Sequence, residues 1–439
     1  MSQSATAPPP PAAQPAPAPP APAAPPKKRF WPAPTGKPVG AGVEDTPGLL
    51  NRLQVIGVAA VLIFGLASAL IQYLSFEADG RAADDTEQLV RVQEIQTTLL
   101  RADAIATNLA LLGGSGDPQQ IADRDAAYDE AIADVFTLIT QAAEAQPADE
   151  EALSALNVAV SEYATAIAEA RSNLRQNFPV GKEYLSGGSS ALRSDALPIL
   201  ENLVTANSER AEESMNGQHP FWLLLIGAVT VGVLIWVSLV LAQRFRRYVN
   251  VGVAVAAVLV LVTTLVAAVA AWRGDSQNEG LLDDELTKAV DQAEARTAGN
   301  DAKAYESLRL VKRGSGTTYE PLWQESAEVV VDTADTSILP DWEAYVARHN
   351  QIVRNDDQDF RGPALRVATA DDASGSNQPF TDFDEAAQKL VDDNSETTTD
   401  ELRAGRAAAL VGSILTLLLG LLAAVAVVRG IGARRREYS

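Results

Sequence analysis

Four stretches of the chain are apolar without a break, and most of what lies between them repeats apolar positions at helical spacing. Residues 220–243 and 251–272 each offer more than twenty positions without a charge. That is enough for a helix to cross about 30 Å of hydrocarbon. Only Arg244, Phe245, Arg246, Arg247, Tyr248, Val249 and Asn250 separate them. Residues 53–75 and 407–428 are equally free of charge and of proline. Basic residues in short loops and beside spans stay on the cytosolic side. Lys27, Lys28, Arg29, Lys37 and Arg52 precede the first span, and Arg429, Arg434, Arg435 and Arg436 follow the last. The pattern predicts four spans with both termini in the cytosol. The rival reading of 53–75 is a cleaved signal peptide, but the run is long for one and its basic leader is remote.

The two long segments between spans predict helices. Leu89, Val92, Ile95, Leu99, Ala102, Ile105, Leu109 and Leu112 recur in steps of three and four, one apolar stripe on a long helix. Gly113–Pro118 stops it; without a preceding strand or a P-loop lysine, this Gly-rich stretch is no phosphate cradle. Ile121, Tyr128, Ile132, Val135 and Ile139 predict a second helix. Leu153, Leu156, Val160, Tyr163, Ile167, Ala170 and Leu174 predict a third, with a bundle-type seam. Phe178 to Gly181 breaks it, and a fourth is expected over 190–215.

The second half replays this plan. Asp103-Ala104 through Gly116 aligns without a gap on Lys303-Ala304 through Gly316, at a constant shift of 200. Such a duplication predicts two units of span, bundle and span in tandem. The second bundle looks less regular. Gly299 is expected to interrupt its first helix, Pro321 and Pro340 to open the next two, residues 354–380 to form a polar connection, and a last helix to begin near Asp382. Trp323, Trp342 and Tyr345 are expected as core anchors.

Charge and composition sharpen the picture. Residues 76–217 carry 25 acids against 9 bases, and 273–405 carry 29 against 13, so both bundles are strongly acidic while the cytosolic pieces are basic. Acidic surfaces suit solubility or a cation-rich environment and argue against nucleic acid as a partner. The chain has no cysteine, so helical cores rather than disulfides must hold the outer parts together. Residues 1–47 hold 15 of the 24 prolines among alanines and read as an extended cytosolic tail, a spacer or lipid contact before a docking segment. The acids read as solvated helix faces, His349 as exposed, and the two histidines as no metal site. Without a nucleophile elbow, zinc helix or kinase signature, an enzyme is not expected, and no cofactor is implied. The spans lack ionisable residues and carry small pairs suited to helix contact: Gly65 with Ala69, Ala228 with Gly232, Ala408 with Gly412, Gly420 with Ala424.

The expectation is therefore an all-α membrane protein: four transmembrane helices (51–75, 219–243, 251–272, 406–428) with two extracytoplasmic four-helix-bundle sensor-like domains in tandem (76–218 and 273–405). A disordered tail (1–50), a basic cytosolic turn (244–250) and a basic tail (429–439) complete it, in the plasma membrane. Arg244, Phe245, Arg246, Arg247 and Tyr248 are the candidate partner-binding residues; the plainer role of the arginines is to set topology. The bundle-on-span design is similar to the sensor modules of chemoreceptors and histidine kinases without their signalling domains. With its Ala-Pro leader, duplicated acidic bundles and Arg-Phe-Arg-Arg-Tyr turn, the chain resembles the GlnX family of mycobacteria and other actinobacteria. That resemblance implies a relay between a GlnH-like extracytoplasmic solute-binding lipoprotein, sensing aspartate, glutamate or related amino acids, and a PknG-like serine/threonine kinase. A homodimer stays open. So do two other readings: a structural envelope scaffold without a ligand-dependent state, and a chemoreceptor-like sensor binding its ligand directly in a bundle.

Overall fold

The computed structural model describes residues 46–113, 117–217, 220–245, 250–312 and 314–437. Among them every regular element is helical. The tail ahead of residue 46 lies outside the described residues.

Helix α1 (Thr46–Leu112) runs unbroken for 67 residues, about 100 Å at 1.5 Å per residue. It is both the first span and the first helix of a bundle. Gly113 ends it in the left-handed region at φ 56°, where a Cβ would be strained. Helix α2 (Pro118–Ala145) starts on Asp117, whose side chain accepts the Gln119 backbone N–H at 3.0 Å. Helices α3 (Glu150–Arg175), α4 (Val180–Ala191) and α5 (Leu197–Met215) complete the bundle, and α6 (Pro220–Phe245) is the second span. A single wide π-type turn, Leu192–Ala196, joins α4 to α5 into one rod. The core is the predicted set: Leu99, Val135, Leu156, Val160, Tyr163 and Ile167 are fully buried, each worth about 1.5–3 kcal/mol relative to exposure.

The second unit repeats the layout. Helix α7 (Val251–Leu281) passes through another π-type turn, Leu282–Leu286, into α8 (Thr287–Val311), and Gly314 at φ 76° follows α8 much as Gly113 follows α1. Then come α9 (Gly316–Thr333), α10 (Leu339–Asp357), the short α11 (Arg361–Thr369) and α12 (Asn377–Glu437), 61 residues that return through the membrane. Trp323, Trp342, Tyr345, Phe380 and Phe383 form the aromatic core, with Trp323 and Trp342 stacked at 6.4 Å.

Several local expectations are corrected. Gly299 does not interrupt α8; a Cβ there would lie 2.7 Å from the Phe383 ring, so the glycine makes room for that ring. Pro321 lies inside α9. The fourth helix of the first bundle begins at Val180, and α11 occupies part of the connection expected over 354–380. The last helix starts at Asn377.

In the membrane the four spans close a ring, α1 and α7 each packing on both α6 and α12. Phe64, Leu234, Val260 and Ala423 fill its centre. Gly65 faces Gly420, where an added Cβ would meet backbone at 3.0 Å. Gly252 faces Gly430, and Asn250 caps α7 while donating to the Gly430 carbonyl at 3.0 Å. Gln72 donates to Thr416 at 2.9 Å and Ser413 to the Ala69 carbonyl at 2.9 Å, uniting α1 and α12. Small residues here let backbones approach. Two expected pairs differ: Ala228 and Gly232 are both exposed with open space before Gly232, while Gly227 meets Thr264; and Ala408 is exposed while Gly412 meets the Gln72 side chain. Ile63, Trp236, Val266 and Leu422 point outward, an apolar rim suited to hydrocarbon. Just beyond the spans, Ala82 and Leu89 of α1, Ala211 and Met215 of α5, Leu281 of α7, Leu286 of the second π-type turn and Leu402 of α12 form one stalk core.

Candidate functional site

The bundles are not separate lobes. Helices α1 and α8 run side by side, both rising from the membrane, and form the centre of a seam between the units. Thr97 and Thr297 touch there, their hydroxyls 3.1 Å apart. Above them Asn108 donates to the Ala368 carbonyl at 2.9 Å, and near the membrane Asn278 donates to Asp79 at 3.2 Å.

Two arginines tie the seam, Arg193 half-buried and Arg296 buried. Arg193, in the π-type turn of the first bundle, donates to Asp103 at 2.9 Å and to the Tyr305 hydroxyl at 3.0 Å. It also pairs with Asp301 of α8 and lies over the Tyr305 ring, 4.7 Å from its centroid. Burial alone would lower its pKa, but Asp103 and Asp301 outweigh that and raise it. Burial raises the Asp301 carboxyl, with Arg193 opposing. Arg296 of α8 donates to Glu94 of α1 at 3.0 Å and Asp384 of α12 at 3.2 Å. At the outer edge Arg124 pairs with Asp371 at 2.5 Å, and Arg403 pairs with Glu87 nearer the membrane.

Behind the seam lies a buried polar chain. Lys303 donates to Glu306 at 2.7 Å and to the Ser376 hydroxyl at 2.6 Å. The other Glu306 oxygen is 3.1 Å from His349 Nδ1, and His349 stacks flat on Trp323 at 3.7 Å. Its Nε2 is 3.4 Å from Glu320, an electrostatic contact short of an aligned hydrogen bond. Burial favours the neutral imidazole, yet Glu306 and Glu320 raise the pKa above its usual value. Burial raises the Glu306 carboxyl, but Lys303 and His349 bring it down to about 2. Burial lowers the Lys303 ammonium.

His349 is thus fully buried, not exposed, and Asp103, Asp149 and Glu306 are buried acids rather than members of solvated faces. The signal for Arg193 was in the sequence: Ser189, Arg193, Ala196 and Leu200 step by four, three and four along one face. In α8 the buried positions are mostly alanines and charged or polar residues, and the helix is covered on nearly all sides by α1, α9 and α12, so its sequence gives little sign of that burial.

The basic turn is different. Arg246, Arg247 and Tyr248 lie outside the described residues, as do the side chains of Arg244 and Phe245, whose backbone ends α6.

Among the described residues four helices are long and apolar enough to cross a membrane, and they carry two packed helical bundles joined by a polar seam, the architecture of a multi-pass membrane protein. Residues 78–216, which make up the first bundle, match the family model of the actinobacterial sensor domain. The match supports an actinobacterial sensor protein with a role in sensing or signalling. Comparisons with curated proteins and with solved structures give no match.

Proposed function

We propose that the chain is a transmembrane relay in amino-acid sensing, of the aspartate and glutamate type. Its acidic bundles stand outside the plasma membrane and receive a GlnH-like solute-binding lipoprotein. Arg244, Phe245, Arg246, Arg247 and Tyr248 face the cytosol, with both termini, and engage a PknG-like serine/threonine kinase. The chain itself performs no chemistry; its output is a change in helix packing.

One observation carries this reading: α1 and α12 are single helices that contribute both to the seam between the bundles and to the span contacts at Gly65 and Gly420. A partner that prefers one packing of the seam would shift those spans, because packed interfaces switch between discrete arrangements. The basic turn between α6 and α7 would carry the shift to the cytosol. The resemblance to the GlnX family supplies the identity of the partners.

The test is a cysteine pair, Gln72→Cys with Thr416→Cys, in membranes. Its crosslinking rate should change when the binding protein and an amino acid are added. An unchanged rate at this pair and at a second pair between α6 and α7 ends the relay proposal. Kinase capture from membranes should be lost when Arg244, Arg246 and Arg247 are all changed to Ala; capture that persists with correct insertion removes the docking role of the turn.

A further inference from the structure

The seam encloses a cleft of about 180 Å³ between α1, α2, α8 and α12. Its lining holds three basic groups, Arg101, Arg124 and Lys303, and three acidic ones, Asp371, Asp384 and Glu385. Lys303 and Asp384 are buried while Arg101, Asp371 and Glu385 are exposed, so charge of both signs is present from mouth to floor.

Three polar atoms of the lining residues have no hydrogen-bond partner: Asn108 Oδ1, Asn300 Oδ1 and Arg124 Nη1. Asn108 is 4% exposed and Asn300 is 0% exposed. The amide orientations are fixed by their neighbours. Asn108 Nδ2 meets the Ala368 carbonyl, and Asn300 Nδ2 meets the Arg296 carbonyl at 2.9 Å and Asp384 at 3.0 Å. All of these partners are acceptors, so in each amide it is the oxygen that remains open. Arg124 spends Nη2 on the Thr369 carbonyl and Asp371, leaving Nη1 free. Leaving a buried polar group unpaired is costly, so such groups call for an occupant.

The unmet needs are of two kinds: two acceptors, that of Asn300 beside the buried Asp384 carboxylate, and one cationic donor. A polyanion would meet the three acids and a polycation the three bases. We propose that the cleft binds a small zwitterion, its carboxylate on the Arg124 guanidinium and its ammonium between Asn108, Asn300 and Asp384. An α-amino acid is the simplest molecule of this class. Such a ligand touches both units at once, α1 and α2 of the first and α8 and α12 of the second, and so favours one packing of the seam. The isolated first bundle lacks half of this site. The consequence of binding rests on the relay proposed above, whereas binding itself can be measured without it.

The experiment is calorimetry on the full chain in lipid nanodiscs, titrated with glycine, L-alanine and L-asparagine, and separately with propionate and n-propylamine. At least one zwitterion should bind saturably, one per chain, and the single-charge probes should bind about tenfold or more weakly, since each forfeits a charge-assisted contact. Arg124→Ala should weaken the zwitterion by a similar factor. Ala127→Phe, which fills the cleft from a half-buried position, should abolish binding with an unchanged unfolding midpoint. The proposal is overturned if none of the three zwitterions binds, if propionate or propylamine binds as well as they do, or if Ala127→Phe leaves binding intact. Direct binding with span crosslinking unchanged even when the binding protein is added would keep the site and end the relay; a crosslinking response to the binding protein without direct binding would do the reverse.

Discussion

The hydroxyl oxygens of Thr97 and Thr297 lie 3.1 Å apart at the centre of the seam. Thr97 gives its single proton to the Gln93 carbonyl at 3.0 Å, so Thr297 is the donor between them. The two residues differ by the repeat shift of 200, and equivalent positions of twofold-related units touch only at the axis relating them. The ring of spans obeys the same operation, which exchanges α1 with α7 and α6 with α12 and maps the α1–α12 contact onto α7–α6. Because the native chain has no cysteine, Thr97→Cys with Thr297→Cys gives one defined thiol pair. Mild oxidation should join the two within a single chain, read by mass spectrometry of the linked peptides. A bond formed only between chains, or none at all, would contradict this seam.

Arg193 holds two carboxylates that have little other recourse. Asp103 is fully buried and its other partners are Ser189 at 2.7 Å and Tyr163 at 3.2 Å. Removing one member of a buried ionic cluster leaves uncompensated charge and costs about 3–5 kcal/mol. Arg193→Ala should therefore lower the unfolding midpoint sharply, and Asp301→Asn added to it should recover part of the loss. Differential scanning calorimetry in detergent checks both, and an Arg193→Ala midpoint within a degree or so of the parent would refute the assigned role.

The spans and the first bundle were legible because their apolar positions repeat strongly: Leu153 through Ala170 reads as a seam and is one. The membrane ring follows from runs that have no other stable home. What could not be read is burial imposed by a neighbour. Lys303, Glu306 and Arg309 sit on a helix of charges and alanines, which taken alone resembles a solvated surface helix; contact with α1, α9 and α12 buries it. His349 escaped for the same reason, since its cover is Trp323 and its partners lie on α8 and α9. Gly299 reads locally as a helix breaker, but its cost of about 1 kcal/mol is offset by the place it gives Phe383. The cleft is composed of residues far apart in the chain, so no local motif could announce it.

The glycines of the membrane ring separate into tight and open positions. A Cβ on Gly430 would lie 2.6 Å from the Gly252 Cα, and one on Gly252 would strike the Ala426 carbonyl, both backbone obstacles. Gly252→Ala should push α7 from α12 and cost about 1–3 kcal/mol, the usual range for overpacking. Gly232 has nothing within 4 Å of such a Cβ, so Gly232→Ala should be near neutral. Steric trapping or denaturant unfolding in micelles measures the pair; equal effects would mean that the α7–α12 crossing is drawn wrongly.

The last prediction concerns pH. His349 is held by Glu306 of α8 and Glu320 of α9, with Lys303 and Arg309 also acting on those acids and Tyr345 packed against its ring. Its folded pKa is raised above the ordinary 6.5, with burial opposing and the two glutamates prevailing. The folded state therefore holds a proton that the unfolded chain has released, so the contribution is complete below 6.5 and fades as pH rises through the folded pKa. Glu306, lowered to about 2, stays ionised across this window and adds no slope of its own. Stability of the wild-type chain should thus fall from pH 6 upward until the imidazole is neutral, and in His349→Gln that fall should vanish while the mutant stays less stable at pH 6. Unfolding midpoints recorded between pH 5.5 and 9 decide it: a slope that survives His349→Gln must come from another group.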